Sequence, residues 1–160
     1  MLCGSCSQPG RVWGGRVRAQ PDWRVTLPAP MTRKPAETAP LILLVDDVED
    51  NLDVYAQFFA HNGWRTATAS SGQDALTQAA GLRPDVIVLD LGMPGMDGVE
   101  VARRLKADPV TRTTSVIVLT GHVLDNARRR GLEAGADEFL TKPCLPADLT
   151  SVIKRHLPRK

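Results

Sequence analysis

Three carboxylates, one hydroxyl and one ammonium stand at the ends of apolar runs in this 160-residue chain. Leu43-Leu44-Val45 leads into Asp46-Asp47, and Val86-Ile87-Val88-Leu89 leads into Asp90. Val116-Ile117-Val118-Leu119 leads into Thr120, and Lys142 follows Leu140 by two residues. If these run ends share one edge of a sheet, the five groups form a chemical site. Three crowded carboxylates repel, and a hard divalent cation relieves the repulsion. All-oxygen ligands suit partly hydrated Mg2+, with Mn2+ as a substitute. Asp90 is then positioned to attack phosphorus, giving an acyl phosphate. Thr120 can donate a hydrogen bond to one phosphoryl oxygen, and Lys142 can offset charge as a point cation. Positioning and electrostatic stabilisation of this kind are what phosphoryl transfer requires.

Taken singly, each group has an ordinary structural reading. Asp is common in turns at strand ends, Thr-Gly after a strand is an unremarkable turn, and a lone Lys is usually a solvated charge. The matching placement of all five carries the argument.

The elements that must position them follow from periodicity. Three short aliphatic runs bounded by turn signals read as strands buried on both faces: Leu41–Val45, Val86–Leu89 and Val116–Leu119; Glu138–Thr141 reads as another, short strand. Trp64–Ala69 alternates weakly and reads as a further strand. Between them lie helical patterns. Leu52, Tyr55, Ala56 and Phe59 form one face, stopped by Asn62-Gly63. Ala75, Leu76 and Ala79 form another, ending near Gly81 and Pro84. Val99, Ala102 and Leu105 form a third, with Asp97 as its N-cap and Asp108-Pro109 as its end. A fourth helix covers Leu124–Ala134 with Gly135 just beyond it. A fifth covers Ala147–Leu157, apolar at Leu149, Val152, Ile153 and Leu157. Five alternating units predict an α/β fold: a doubly wound, five-stranded parallel sheet, (βα)5, with helices on both faces. The flavodoxin-like strand order is the simplest arrangement, although periodicity does not fix it. In such sheets ligands bind at the carboxyl ends of the strands, which is where Asp90 sits.

Charge is unevenly spread. Residues 1–39 hold six Lys/Arg and two Asp/Glu, a net of +4, whereas residues 40–160 hold fourteen and sixteen, a net of −2. Residues 1–39 lack a sustained period, mix Gly, Pro and Arg with scattered Trp, and read as a disordered basic extension; Met31 is an alternative start. The acidic body gives no electrostatic case for nucleic-acid binding. Three cysteines, Cys3, Cys6 and Cys144, make no disulfide framework, and the Cys3-Gly-Ser-Cys6 spacing has no second pair beside it. No run of 18 apolar residues exists to span a membrane and no signal-peptide core is present, so the expected location is cytoplasmic.

The acidic pair Asp46-Asp47, the D-x-x-M-P-x-M-D-G segment from Asp90 to Gly98, Thr120 and Lys142-Pro143 together resemble the response-regulator receiver domain of two-component signalling. The resemblance runs from about Leu41 to Leu157, giving an expected receiver domain over residues 40–158. It implies that Asp90 is the phosphoacceptor. It implies a Mg2+ site made by Asp47, Asp90 and the backbone carbonyl of Gly92, with Asp46 acting through water. Thr120 and Lys142 would contact the phosphoryl group, Thr120 and Phe139 would form the switch pair, and the Lys142–Pro143 peptide would be cis. Gly92 and His122, each two residues beyond a site residue, lie where receivers tune dephosphorylation. Substitution of either is expected to alter phosphoryl lifetime. Gly121 and Phe139 depart from the commoner small residue and Tyr of the family.

The implied partners are a sensor histidine kinase or histidine phosphotransfer protein as donor and a downstream protein as reader. A phosphorylation-dependent homodimer through the last two helices and fifth strand is a further expectation. Arg128-Arg129-Arg130 lies on that surface, although a charge run on a helix is usually just a wet face. With only Pro158, Arg159 and Lys160 after Leu157, the expectation is a stand-alone receiver without direct DNA binding or membrane contact. It would not be an enzyme turning over an external substrate. Two rival readings are a phosphorylation-independent interaction module and a Mg2+-dependent phosphohydrolase with an Asp nucleophile. The second commonly needs an acid two residues after the nucleophile, where this chain has Gly92. A GTPase is excluded because no G-x-x-x-x-G-K-[ST] loop occurs.

Overall fold

The structure, a computed structural model, describes residues 38–121 and 125–157. The expected extension over 1–39, apart from Thr38 and Ala39, lies outside the described residues, as do His122, Leu124 and the Cys3/Cys6 pair. Ten elements alternate: β1 (Leu41–Val45), α1 (Glu49–His61), β2 (Arg65–Ala69), α2 (Gly72–Leu82), β3 (Val86–Asp90), α3 (Gly98–Ala107), β4 (Ser115–Thr120), α4 (Asp125–Glu133), β5 (Glu138–Thr141) and α5 (Pro146–His156). All strand pairs are parallel, in the order β2-β1-β3-β4-β5. This is the flavodoxin-like order, and it sets the topological switch point between β1 and β3.

Strand alternation divides the core into two layers. Leu43, Val45, Ile87, Leu89, Val116 and Val118 face one side, where Ala75 and Ala79 of α2 and Val101, Ala102 and Leu105 of α3 cover them. Ile42, Leu44, Val86, Val88, Ile117 and Leu119 face the other, under Leu52 and Phe59 of α1 and Leu149, Val152 and Ile153 of α5. β1 and β3 are buried along their whole length, which is why both read as unbroken aliphatic runs. β2 lies at an edge and is only partly buried, which accounts for its weak alternation.

Boundaries differ from the sequence expectation by one or two residues. Trp64 precedes β2 instead of opening it: its amide donates to Phe59 O at 3.1 Å and its ring packs on Phe59 at 5.5 Å. α2 runs through Gly81 to Leu82 and closes at Arg83, whose φ of 49° is left-handed. Pro84 removes the next backbone donor. Asp97 caps α3 as the sequence indicates, accepting a hydrogen bond from the Val99 amide at 3.0 Å. α5 begins at Pro146, in the first-turn position that suits proline.

One glycine is demanded by the fold next to Asp90. A Cβ on Gly98 would lie 2.5 Å from the Asp90 carbonyl oxygen and 2.8 Å from Leu91 Cα. Only glycine lets α3 start this close to the end of β3.

Candidate functional site

Asp46 immediately follows β1 and Asp90 is the last residue of β3, so adjacent parallel strands deliver both acids to one edge. The ladder continues past the strand ends: Asp46 N donates to Ala69 O at 3.2 Å and Leu91 N to Leu119 O at 3.0 Å. Lys142 N donates to Thr120 O at 2.7 Å. That last bond fixes the lysine to the end of β4. The Lys142–Pro143 peptide that follows is cis.

One carboxylate oxygen from each of Asp46, Asp47 and Asp90 lies within 4.8 Å of the other two. Asp46 and Asp90 are buried and Asp47 is exposed. The Lys142 ammonium sits between the two buried acids, donating to Asp46 Oδ2 at 2.7 Å and Asp90 Oδ2 at 2.9 Å. Burial works against the charged ammonium, but the hydrogen bonds it donates to Asp46 and Asp90, with their charges, outweigh it and hold its pKa above the usual lysine value. Lys142 is therefore a permanent cation at neutral pH.

Asp46 is the most constrained of the acids. Its Oδ1 accepts from Val48 N at 2.9 Å and Asn51 Nδ2 at 3.2 Å. Its Oδ2 accepts from Asn51 Nδ2 at 3.0 Å as well as from Lys142. Four contacts match the roughly four acceptor sites of a carboxylate. Asp90 Oδ1 accepts from Gly92 N at 3.1 Å. Three oxygen donors at this spacing fit a hard divalent cation, and the set has no sulfur or imidazole to favour zinc or copper.

Thr120 ends β4, is buried, and stands one residue beyond the register partner of Asp90. Phe139 on β5 is partly buried, with its ring against Gly131 of α4, where a Cβ would lie 3.1 Å from the ring. Gly92 is exposed, and a Cβ there would meet Asp90 Oδ2 at 3.6 Å, an ordinary contact. A side chain at position 92 would thus reach over the carboxylate. Gly121 faces open space.

Sequence reasoning passed over two α1 residues. Asn51 was silent because a polar residue on a helix needs no explanation. Its one signal was its place one turn after Asp47. Tyr55 read as a core position, yet its hydroxyl donates to Cys144 O at 2.9 Å and so holds the loop after Lys142-Pro143.

Comparison with known proteins agrees with the fold. The family model for the response regulator receiver domain matches residues 42–154. Response regulator PleD of Caulobacter vibrioides is 45% identical over 102 residues, covering 64% of this chain and 22% of that protein. Transcriptional regulatory protein PrrA of Mycobacterium tuberculosis is 41% identical over 123 residues, covering 77% and 52% respectively. The chain therefore spans between about a fifth and a half of these relatives. Among solved structures, the receiver domain of sensor histidine kinase PA1611 from Pseudomonas aeruginosa has a TM-score of 0.68 and 31% identity, with 73% of this chain and 95% of that one covered. It is described with a magnesium ion coordinated in its active-site cleft.

A five-stranded parallel sheet with acids and a lysine at its carboxyl edge, matched by that family model, defines the class: this chain belongs to the response-regulator receiver domains of two-component signal transduction. Receiver domains are signalling modules, not enzymes turning over a separate substrate. Among the described residues no helix is long and apolar enough to cross a membrane.

Proposed function

We propose that Asp90 accepts a phosphoryl group from a phosphohistidine on a sensor kinase or phosphotransfer protein. The phosphorylated domain then changes its affinity for a downstream protein. The observation that carries this reading is the Lys142 ammonium bridging Asp46 and Asp90 at 2.7 and 2.9 Å inside the three-carboxylate cluster. A nucleophilic carboxylate, a fixed cation and an oxygen-donor set occupy one strand edge.

In the step itself an Asp90 oxygen attacks phosphorus while the phosphorus–nitrogen bond breaks. The imidazole leaves and takes a proton from solvent. Asp47, Asp90 and the Gly92 carbonyl would hold Mg2+, or Mn2+ in its place, with Asp46 reached through water; its four existing contacts favour that outer place. When bound, the cation supplies charge neutralisation for the acids and the phosphoryl oxygens. Lys142 neutralises a phosphoryl oxygen from the side of β5, and Thr120 donates a hydrogen bond from the end of β4. Phe139, resting on Gly131, follows Thr120 and alters the surface made by α4, β5 and α5. A phosphoryl group shifts these populations only by stabilising one state more than the other.

The net −2 of residues 40–160 supports output through protein contact and not through DNA. Transcriptional regulation is in the name of the relative PrrA, and a gel-shift assay with the phosphorylated protein examines it here.

The direct test is intact mass after incubation with acetyl phosphate and Mg2+. Wild type should gain one phosphoryl group, and Asp90→Asn should gain none. Equal gain in the variant removes Asp90 from the role. A wild type that binds its partner equally with and without phosphate supports the interaction-module reading instead.

A further inference from the structure

We propose that Asn51 is a positioning residue for the cation site: it holds the Asp46 carboxylate in its outer place, so that α1 sets the cation affinity. The inference rests on the reading that Asp46, Asp47 and Asp90 bind a divalent cation.

Asp46 lies just past β1, in a loop, yet its side chain is only 6% exposed. A buried carboxylate is tolerated when its acceptor sites are filled. The loop supplies one donor, the Val48 amide, and Lys142, the residue after β5, supplies a second. Asn51 is the only donor of the set that touches both oxygens, at 3.2 and 3.0 Å. Val48 and Lys142 each hold one oxygen, and Asn51, bonded to both, adds a second hold on each and resists rotation of the carboxylate about its Cβ–Cγ bond.

Its reach comes from the helix. Asn51 belongs to the first turn of α1, whose start has no side-chain cap. Leu52, the next residue, and Phe59, two turns further on, are buried in the core and prevent the helix from rotating. On the same face, one turn from Asn51, Tyr55 holds the Cys144 carbonyl. One rigid helix thus steadies the loops on both sides of the site without placing a cation ligand in it. Partners of this kind commonly alter metal affinity about 10- to 100-fold when removed.

The experiment is a titration of the unphosphorylated protein with MgCl2, followed by amide chemical shifts, for wild type and Asn51→Ala. Alanine favours the helix, so α1 should be retained; a thermal melt without Mg2+ checks that the variant is folded. If Asn51→Ala does not fold, Asn51→Ser, whose hydroxyl falls short of Asp46, is titrated in its place. The expected result is Mg2+ affinity weakened roughly tenfold, with the shift changes of Asp46 and Val48 altered in pattern. Affinity within threefold of wild type in a folded variant overturns the inference. Failure of wild type itself to bind Mg2+ overturns instead the cation-site reading beneath it.

Discussion

Helix α1 has thirteen residues, buries Leu52 and Phe59, stacks Tyr55 on Phe59 at 6.1 Å, and bonds to the site through Asn51 and Tyr55. Helix α4 has nine residues, and from Arg129 to Glu133 only Gly131 is buried. Its ties include the Arg130–Asp97 ion pair at 2.7 Å, with both side chains about half exposed, and the contact of Gly131 with the Phe139 ring. The first helix is fixed by buried area and by bonds to the cluster itself. The described side chains of the second, from Arg129 on, rest on contacts that can be exchanged at low cost. Regions held by little buried apolar surface are those that open or shift first. Charge arriving at Asp90 should therefore leave α1 in place and move the α4 side.

The largest effect should come from Phe59→Ala, which removes a fully buried ring touching Trp64 and Tyr55. About 3–5 kcal/mol of stability should be lost in urea unfolding. Arg130→Ala should cost at most about 1 kcal/mol, because exposed ion pairs contribute little. The comparison between the helices breaks if the two losses are similar. It sharpens if Arg130→Ala leaves stability alone yet changes how far the amide shifts of α4 move on phosphorylation.

The smallest effect concerns Cys144, whose carbonyl is held by Tyr55. Burial, then the nearby Asp148 charge, raises the thiol above its ordinary pKa. A raised value means less thiolate at a given pH, so alkylation of the Cys144 peptide should be slower than for a model thiol at pH 8. Its rate should keep rising above the usual thiol range. A rate equal to the model thiol would mean that the α1 side is more open than the contacts indicate.

The two regions also differ in how legible they were. The acids and Thr120 were readable because each follows an aliphatic run, and a run buried on both faces has no polar residue until it ends; Lys142 was readable from the short strand before it and Pro143 after it. Asp97 as a cap and Glu138–Thr141 as a strand were equally plain. Asn51 and Tyr55 were not, because their partners lie 5 and 89 residues away in the chain and helical periodicity carries no information about such contacts. Gly98 looked like part of a loop motif, whereas its need for glycine comes from the backbone of β3 passing beneath α3.

By itself, the sequence determined the ten elements within a residue or two, the polar groups at the strand ends, and the absence of a phosphate-binding glycine loop. Local pattern decides these, since burial of a strand or a helix face is written in hydrophobic spacing. The tertiary structure alone decided the order β2-β1-β3-β4-β5 and the bridge of Lys142 between Asp46 and Asp90. It also decided the hold of α1 on both loops. The first two depend on which strands meet in the sheet, and the third on where α1 packs; no local period encodes any of them.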